Sequence, residues 1–145
     1  MNSYLINGAK SEKFEALASD VICWCFDKLL PYHSTIHVDV DFKSIRKGGA
    51  DGYCEWMDSN VAPREFKITV ERSFGKENVI KTIIHEMVHV KQYAKGELAE
   101  RYKDGHKQLW KAVDHSNTKY DDQPWEIEAH TLQDSLYEEY INEAG

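Results

Sequence analysis

Cysteine is scarce in this 145-residue chain: Cys23, Cys25 and Cys54 are all there is, and no two of them form a CxxC pair. An odd count at these spacings excludes a disulfide framework and a zinc ribbon. The three are expected as buried, reduced thiols of a cytoplasmic protein. Cys23 and Cys25 lie two apart on an expected helix, so they face different directions and make a poor ligand pair. Long hydrophobic runs are also missing, and nothing approaches the ~20 apolar residues that span a bilayer. Residues Met1 to Lys10 lack the basic start and apolar centre of a signal peptide. No membrane partner is expected, and the cytoplasm is the expected compartment. Positive charge is in short supply, with 18 Lys and Arg against 25 Asp and Glu and a formal net charge of -7. Such a surface repels phosphate backbones, so nucleic acid is not expected as a partner unless another protein recruits the chain. The densest basic stretch, Lys43-Ser44-Ile45-Arg46-Lys47, is short, runs into Gly48-Gly49 and reads as a solvated turn. Repeats, low-complexity tracts and linkers are absent too. Residues 1–145 therefore read as a single domain, long enough to bury one core.

What is present is a mixed pattern of helix and strand. After a polar lead-in of ten residues, Ser11 is placed to cap a helix. Phe14, Leu17, Ala18, Val21, Ile22, Cys25, Phe26, Leu29 and Leu30 then recur at three and four, until Pro31 ends the run. Thr35 to Phe42 alternates strictly, with Ile36, Val38, Val40 and Phe42 on one side and His37 on the other. Tyr53 to Met57 and Glu65 to Glu71 alternate likewise. These three strands predict an antiparallel meander. A second helix is expected from about Lys76 to Lys95, stopped by Gly96. The polar segment Glu97 to Asp104 leads into Gly105 to Lys111, read as a short helix or a loop. Pro124 opens a last helix running to about Asn142, with Trp125, Ala129, Leu132, Leu136 and Tyr140 as its apolar stripe. The class is α+β.

The second helix carries the chemistry. Ile83-Ile84-His85-Glu86-Met87-Val88-His89-Val90 contains HExxH within an apolar run. Residues four apart share a helix face, so His85 and His89 can aim two imidazoles at one metal ion. Glu86 stands about 100° further round, within reach of a water on that ion. A metal-dependent hydrolase needs this set: neutral imidazoles to hold zinc, an open position for water, and a carboxylate to take its proton. A catalytic zinc has a third protein ligand. Glu126 and Glu128 follow in the last helix, and His106 lies closer in sequence.

His85-Glu86-Met87-Val88-His89 followed by Glu126-Ile127-Glu128-Ala129-His130 resembles the gluzincin peptidases, in which a glutamate on a later helix is the third ligand. The resemblance places Glu126 on that ligand and Ala129 on the small residue of an ExxAD motif. His130 stands where the motif has aspartate. The segments Val88 to Tyr93 and Pro124 to Ala129 also resemble small phage and bacterial metallopeptidases of the SprT-like kind. That resemblance covers the C-terminal half. SprT and Spartan-type proteases instead use a third histidine in a His-Gly-x-x-Phe/Trp pattern. Gly105-His106 with Trp110 approximates it, although Lys107 occupies the glycine position.

The resemblance implies a minimal zincin fold, with an N-terminal helix, a three-stranded sheet, the HExxH helix and a C-terminal helix. It implies a zinc peptidase acting on peptide or protein substrates in the cytoplasm, the host's where the chain is phage-encoded. The preferred ligands are His85, His89 and Glu126, with Glu86 as general base. His106 is the rival third ligand and Glu128 a lesser one. Tyr120, His115 and His130 are candidates to stabilise an oxyanion. A DNA-associated SprT-type protease and a non-catalytic zinc-binding module are the alternatives.

Overall fold

The computed structural model describes residues 1–103 and 105–144. Asp104, which closes the polar segment noted above, and Gly145 lie outside them. The order is β1 (Ser3–Asn7), α1 (Glu12–Leu29), β2 (His37–Lys43), β3 (Gly52–Trp56), β4 (Glu65–Glu71), α2 (Lys76–Ala94), β5 (Leu98–Arg101), β6 (Lys107–Trp110), β7 (Val113–Asp114) and α3 (Pro124–Ala144). The class is mixed α and β, as the periodicities predict, and the described helices are not long and apolar enough to cross a membrane.

Helix α1 starts where the sequence places it, with the Ser11 hydroxyl accepting the Phe14 amide at 3.3 Å. It buries Ala18, Val21, Ile22, Cys25, Phe26 and Leu29, a stripe of helical period, in a core shared with α2 and the sheet. Cys25 and Cys54 are withdrawn from solvent to different degrees. Cys23 is exposed, because two residues along a helix is about 200° of rotation. The expectation that all three thiols are buried fails at that residue.

The main sheet has four strands in the order β1-β2-β4-β3, not three, and its pairing is mixed. Residues 3–7, expected as part of a polar lead-in, form an edge strand parallel to β2. Strands β2 and β4 are also parallel, with Val38, Val40 and Phe42 level with Phe66, Ile68 and Val70. Only β3 and β4 pair antiparallel. The alternation of β2 and β4 was legible, but it is the same whichever way a strand runs, so it could not report direction. The strand β3 is the second edge. A separate sheet, β5-β6-β7, replaces the short helix or loop expected around Gly105 to Lys111.

Helix α2 is buried on nearly every side, packed against α1 and the sheet and covered by α3. Ile83, Ile84, Met87 and Val88 have no exposed surface, and each contributes about 1.5–3 kcal/mol relative to an exposed side chain. Such a helix is a rigid mount.

Glu71 joins the sheet to this mount. It is buried, and its carboxylate accepts the amides of Ile45 at 2.8 Å, Arg46 at 3.0 Å and Ser73 at 2.7 Å. The Ser73 amide bond contributes most to holding its carboxyl down from 4.5 to about 2. A carboxyl lowered in the folded state adds stability that is complete above its unfolded pKa and lost as pH falls through the folded one. Conformational stability measured by denaturant should therefore fall between pH 4.5 and about 2, and Glu71→Gln should flatten that slope. Identical slopes for the two proteins would remove Glu71 as the cause.

Candidate metal centre

Four polar residues of α2 are buried where an apolar helix face would serve packing better: His85, Glu86, His89 and Gln92. Burying such groups is unfavourable unless each is partnered. His85, His89 and Gln92 find partners on α3. Glu126 Oε1 lies 3.2 Å from His85 Nε2 and 3.1 Å from His89 Nε2. The ligand atoms of His85, His89 and Glu126 all fall within 4.8 Å of one another, and the three could hold a metal ion.

The other ring nitrogens decide what this convergence means. His89 Nδ1 meets Gln92 Oε1 at 2.7 Å, and His85 Nδ1 meets Gln133 Oε1 at 3.0 Å. For Gln92 the amide orientation follows from its surroundings, because its NH2 group donates to the Trp125 carbonyl at 2.9 Å and to Glu128 at 3.2 Å. Its oxygen must then face His89, and His89 Nδ1 must carry a hydrogen. The Nε2 of a neutral His89 is consequently a lone pair aimed at a carboxylate oxygen. Two acceptors at 3.1 Å repel unless a cation lies between them.

A metal ion fits that requirement. Donors about 2.0–2.1 Å from a tetrahedral zinc are about 3.3 Å apart, close to the spacings of 3.1 and 3.2 Å found here. Absent a metal, protons must do the work. Burial lowers the pKa of His89, but its hydrogen bond to Glu126 and the Glu86 charge outweigh this and raise it. Burial likewise raises Glu126, yet the bonds from His85 and His89 hold it far below the usual carboxylate range.

Glu86 is the fourth member and has a different environment. It is buried, and among the described residues no hydrogen bond reaches its carboxylate. Burial is the main reason its pKa is raised, with the two imidazoles pulling it down and Glu126 pushing it up. Strand β3 approaches it closely at Gly52. A Cβ there would stand 3.0 Å from Glu86 Oε2, 2.7 Å from Thr82 Cγ2 and 3.0 Å from the Thr69 carbonyl. Glycine is what lets the edge strand lie over this carboxylate.

These groups sit in a cleft of about 730 Å³ whose floor is α2, with β3 on one side and the start of α3 on the other. Tyr120 and His130 line it too. The Tyr120 hydroxyl donates to Glu126 Oε1 at 3.3 Å and lies 3.3 Å from His130 Nε2. Burial, then the Glu126 charge, push its pKa up to about 12, so it keeps its proton.

The other expected candidates lie elsewhere. His106 is half exposed, stacked on Tyr102 and 3.4 Å from Glu100, and does not join the described cluster. His115 bonds Thr118 and packs edge-on to Trp125. Glu128 is bound to Lys91 at 2.9 Å and to Gln92, so it braces the Gln92 amide and does not face the triad. Sequence reasoning missed Gln92, Gln133 and Gly52. The two glutamines left a trace: Gln92 is three residues after His89, and Glu126, His130 and Gln133 follow the i, i+4, i+7 rhythm of one α3 face.

Purified protein supplied with zinc should bind one ion per chain, measured by elemental analysis after gel filtration. His85→Ala and Glu126→Ala should lose it, and His106→Ala should keep it. Gln92→Leu should weaken binding by about 10- to 100-fold. Retention of full stoichiometry in Glu126→Ala would dissolve the centre described here. No known family model, curated protein or solved structure matches this chain.

Proposed function

We propose that this chain is a zinc-dependent peptidase of gluzincin type, with His85, His89 and Glu126 as metal ligands and Glu86 as general base. The observation that carries the reading is the unpartnered, buried carboxylate of Glu86 beside three converging metal donors. A purely structural site has no use for it: a closed zinc site takes four protein ligands, whereas this one offers three and leaves room for water. Two imidazoles and a carboxylate suit zinc and iron(II) alike, and the HExxH spacing with Glu86 beside the ligands favours zinc. Bound there, zinc supplies a Lewis acid for the scissile carbonyl and a lowered pKa for a water molecule.

The chain's own residues supply the rest. Glu86 takes the proton of the attacking water and delivers it to the departing amine. Its raised pKa, set mainly by burial, suits a group that must both accept and return a proton. Gln92 and Gln133 keep both imidazoles aimed, each through Nδ1. Tyr120, protonated and at the cleft wall, donates to the oxyanion as charge develops on it. Strand β3 has β4 on one side only. Its free edge, running along the cleft, accepts an extended peptide as a further strand.

Glu86→Gln should keep one zinc per chain while cleavage of an unstructured protein falls by about 10²–10⁴-fold. Cleavage at the wild-type rate in that variant would take Glu86 out of the chemistry. Gly52→Ala probes the same carboxylate from the other side. Its added methyl should displace Glu86 and lower kcat by about tenfold or more with zinc retained. An unchanged kcat, read by the same cleavage assay, would show that the carboxylate need not sit where Gly52 leaves it.

A further inference from the structure

The cleft is not the same at its two ends. Helix α2 runs along its floor, with Lys81 one turn before His85 and Tyr93 one turn after His89. Beyond His89 the walls are Tyr93, Leu98, Gln108 and Trp125, with no charged side chain among the described residues that line that end. Before His85 the cleft is lined by Arg46 and Lys81, with Asp51 as the accompanying acid. Glu86 and Glu126, the remaining carboxylates of the cleft, belong to the metal centre. In a chain with seven more acids than bases, two cations on one side of the triad are an inversion of the surrounding field.

An aromatic ring flanks each cation. The Lys81 ammonium lies 4.9 Å from the Tyr137 ring, and the Arg46 guanidinium lies 5.4 Å from the Phe74 ring. Each cation also makes one ion pair with an exposed acid. Glu77 is 3.5 Å from Lys81 and Asp51 is 3.8 Å from Arg46, with side chains 63% and 69% exposed. Pairs of this kind are weak and yield to a better-placed anion. The Arg46 amide is bonded to Glu71, so the loop keeps its course whatever its side chain does.

We infer that the Lys81 and Arg46 end of the cleft is a subsite for a substrate carboxylate. The inference rests on the peptidase reading above. Four helical residues put Lys81 about 6 Å from His85 along the axis, and an extended peptide advances about 3.3 Å per residue. The carboxylate therefore belongs to the second residue from the scissile bond on that side. Two sources share this chemistry: an acidic side chain inside a longer peptide, and the free C-terminus of a peptide that ends there.

The test uses matched fluorescent peptides carrying Glu, Gln or Lys at that position with an amide-capped end, and a fourth with Gln and a free C-terminus. Their binding to zinc-loaded Glu86→Gln protein is read by anisotropy, which needs no turnover. Their cleavage by the wild type is followed in parallel. A carboxylate peptide should bind about five- to tenfold more tightly than its Gln counterpart, the gap closing at 1 M salt. Arg46→Glu/Lys81→Glu should turn the preference to Lys. Preference for the internal Glu identifies a side-chain carboxylate, and preference for the free end identifies a terminal one. Equal binding of all four peptides overturns the subsite. Discrimination in binding without cleavage of any peptide instead overturns the peptidase reading and leaves the subsite standing.

Discussion

Two imidazole nitrogens and a carboxylate oxygen converge on one point inside this protein, and the surrounding structure is arranged to hold them there. Glu126 Oε1 is brought within about 3.2 Å of each of the two Nε2 atoms by the packing of α3 on α2. Withdrawing such groups from water costs several kcal/mol per charge before any attraction is counted. A metal ion, or protons shared between the imidazoles and the carboxylate, can offset that cost. The rest of the structure keeps the acceptors from relaxing apart. A helix buried on nearly all sides fixes two of them, a glutamine network fixes their ring orientation, and a second helix delivers the third.

The sheet serves this centre at a distance. Its inner face, Val38, Val40 and Phe42 beside Phe66, Ile68 and Val70, gives α2 a firm seat. Its edge strand β3 comes close to Glu86 at Gly52, where the lack of a side chain admits it. The small sheet is tied to the main one by Trp56 Nε1 on Glu100 at 2.6 Å and by Asn60 on the Glu100 carbonyl at 2.9 Å. It supplies Leu98 and Gln108 to the uncharged end of the cleft. Scaffold and wall are thus different sheets.

Local chemistry made part of this readable in advance. A capping serine and a three-four rhythm announce α1, Pro124 opens α3, and the four-residue spacing of His85 and His89 puts both on one face before any coordinates exist. Glu126 needed the resemblance to single it out from Glu128 and His106. The geometry then separates them: one meets both imidazoles, one braces an amide, one faces solvent. Strand direction was closed to the sequence, since a parallel and an antiparallel strand carry the same alternation. The strand at residues 3–7 was hidden by brevity, with only Tyr4, Leu5 and Ile6 to mark it. Its pairing with β2 is a long-range fact that no local pattern encodes. The glutamines escaped for a related reason. Their function is to orient a neighbour, and nothing in a single side chain's type says what it orients.

Helix α3 buries only Trp125, Ala129, Leu136 and Tyr140 along its 21 residues. Leu132, Tyr137 and Ile141 add partly buried contacts, and the candidate metal centre lies at the N-terminal end. An ion bound there would share one equilibrium with the helix: free energy gained by acquiring Glu126 would also seat α3. During synthesis the two histidines emerge first, and the glutamate follows 37 residues after His89. The ion can be gripped fully only once the chain has turned back on itself. Occupancy of the centre would then record completed folding, and a chain cut short before α3 would carry the two histidines without Glu126.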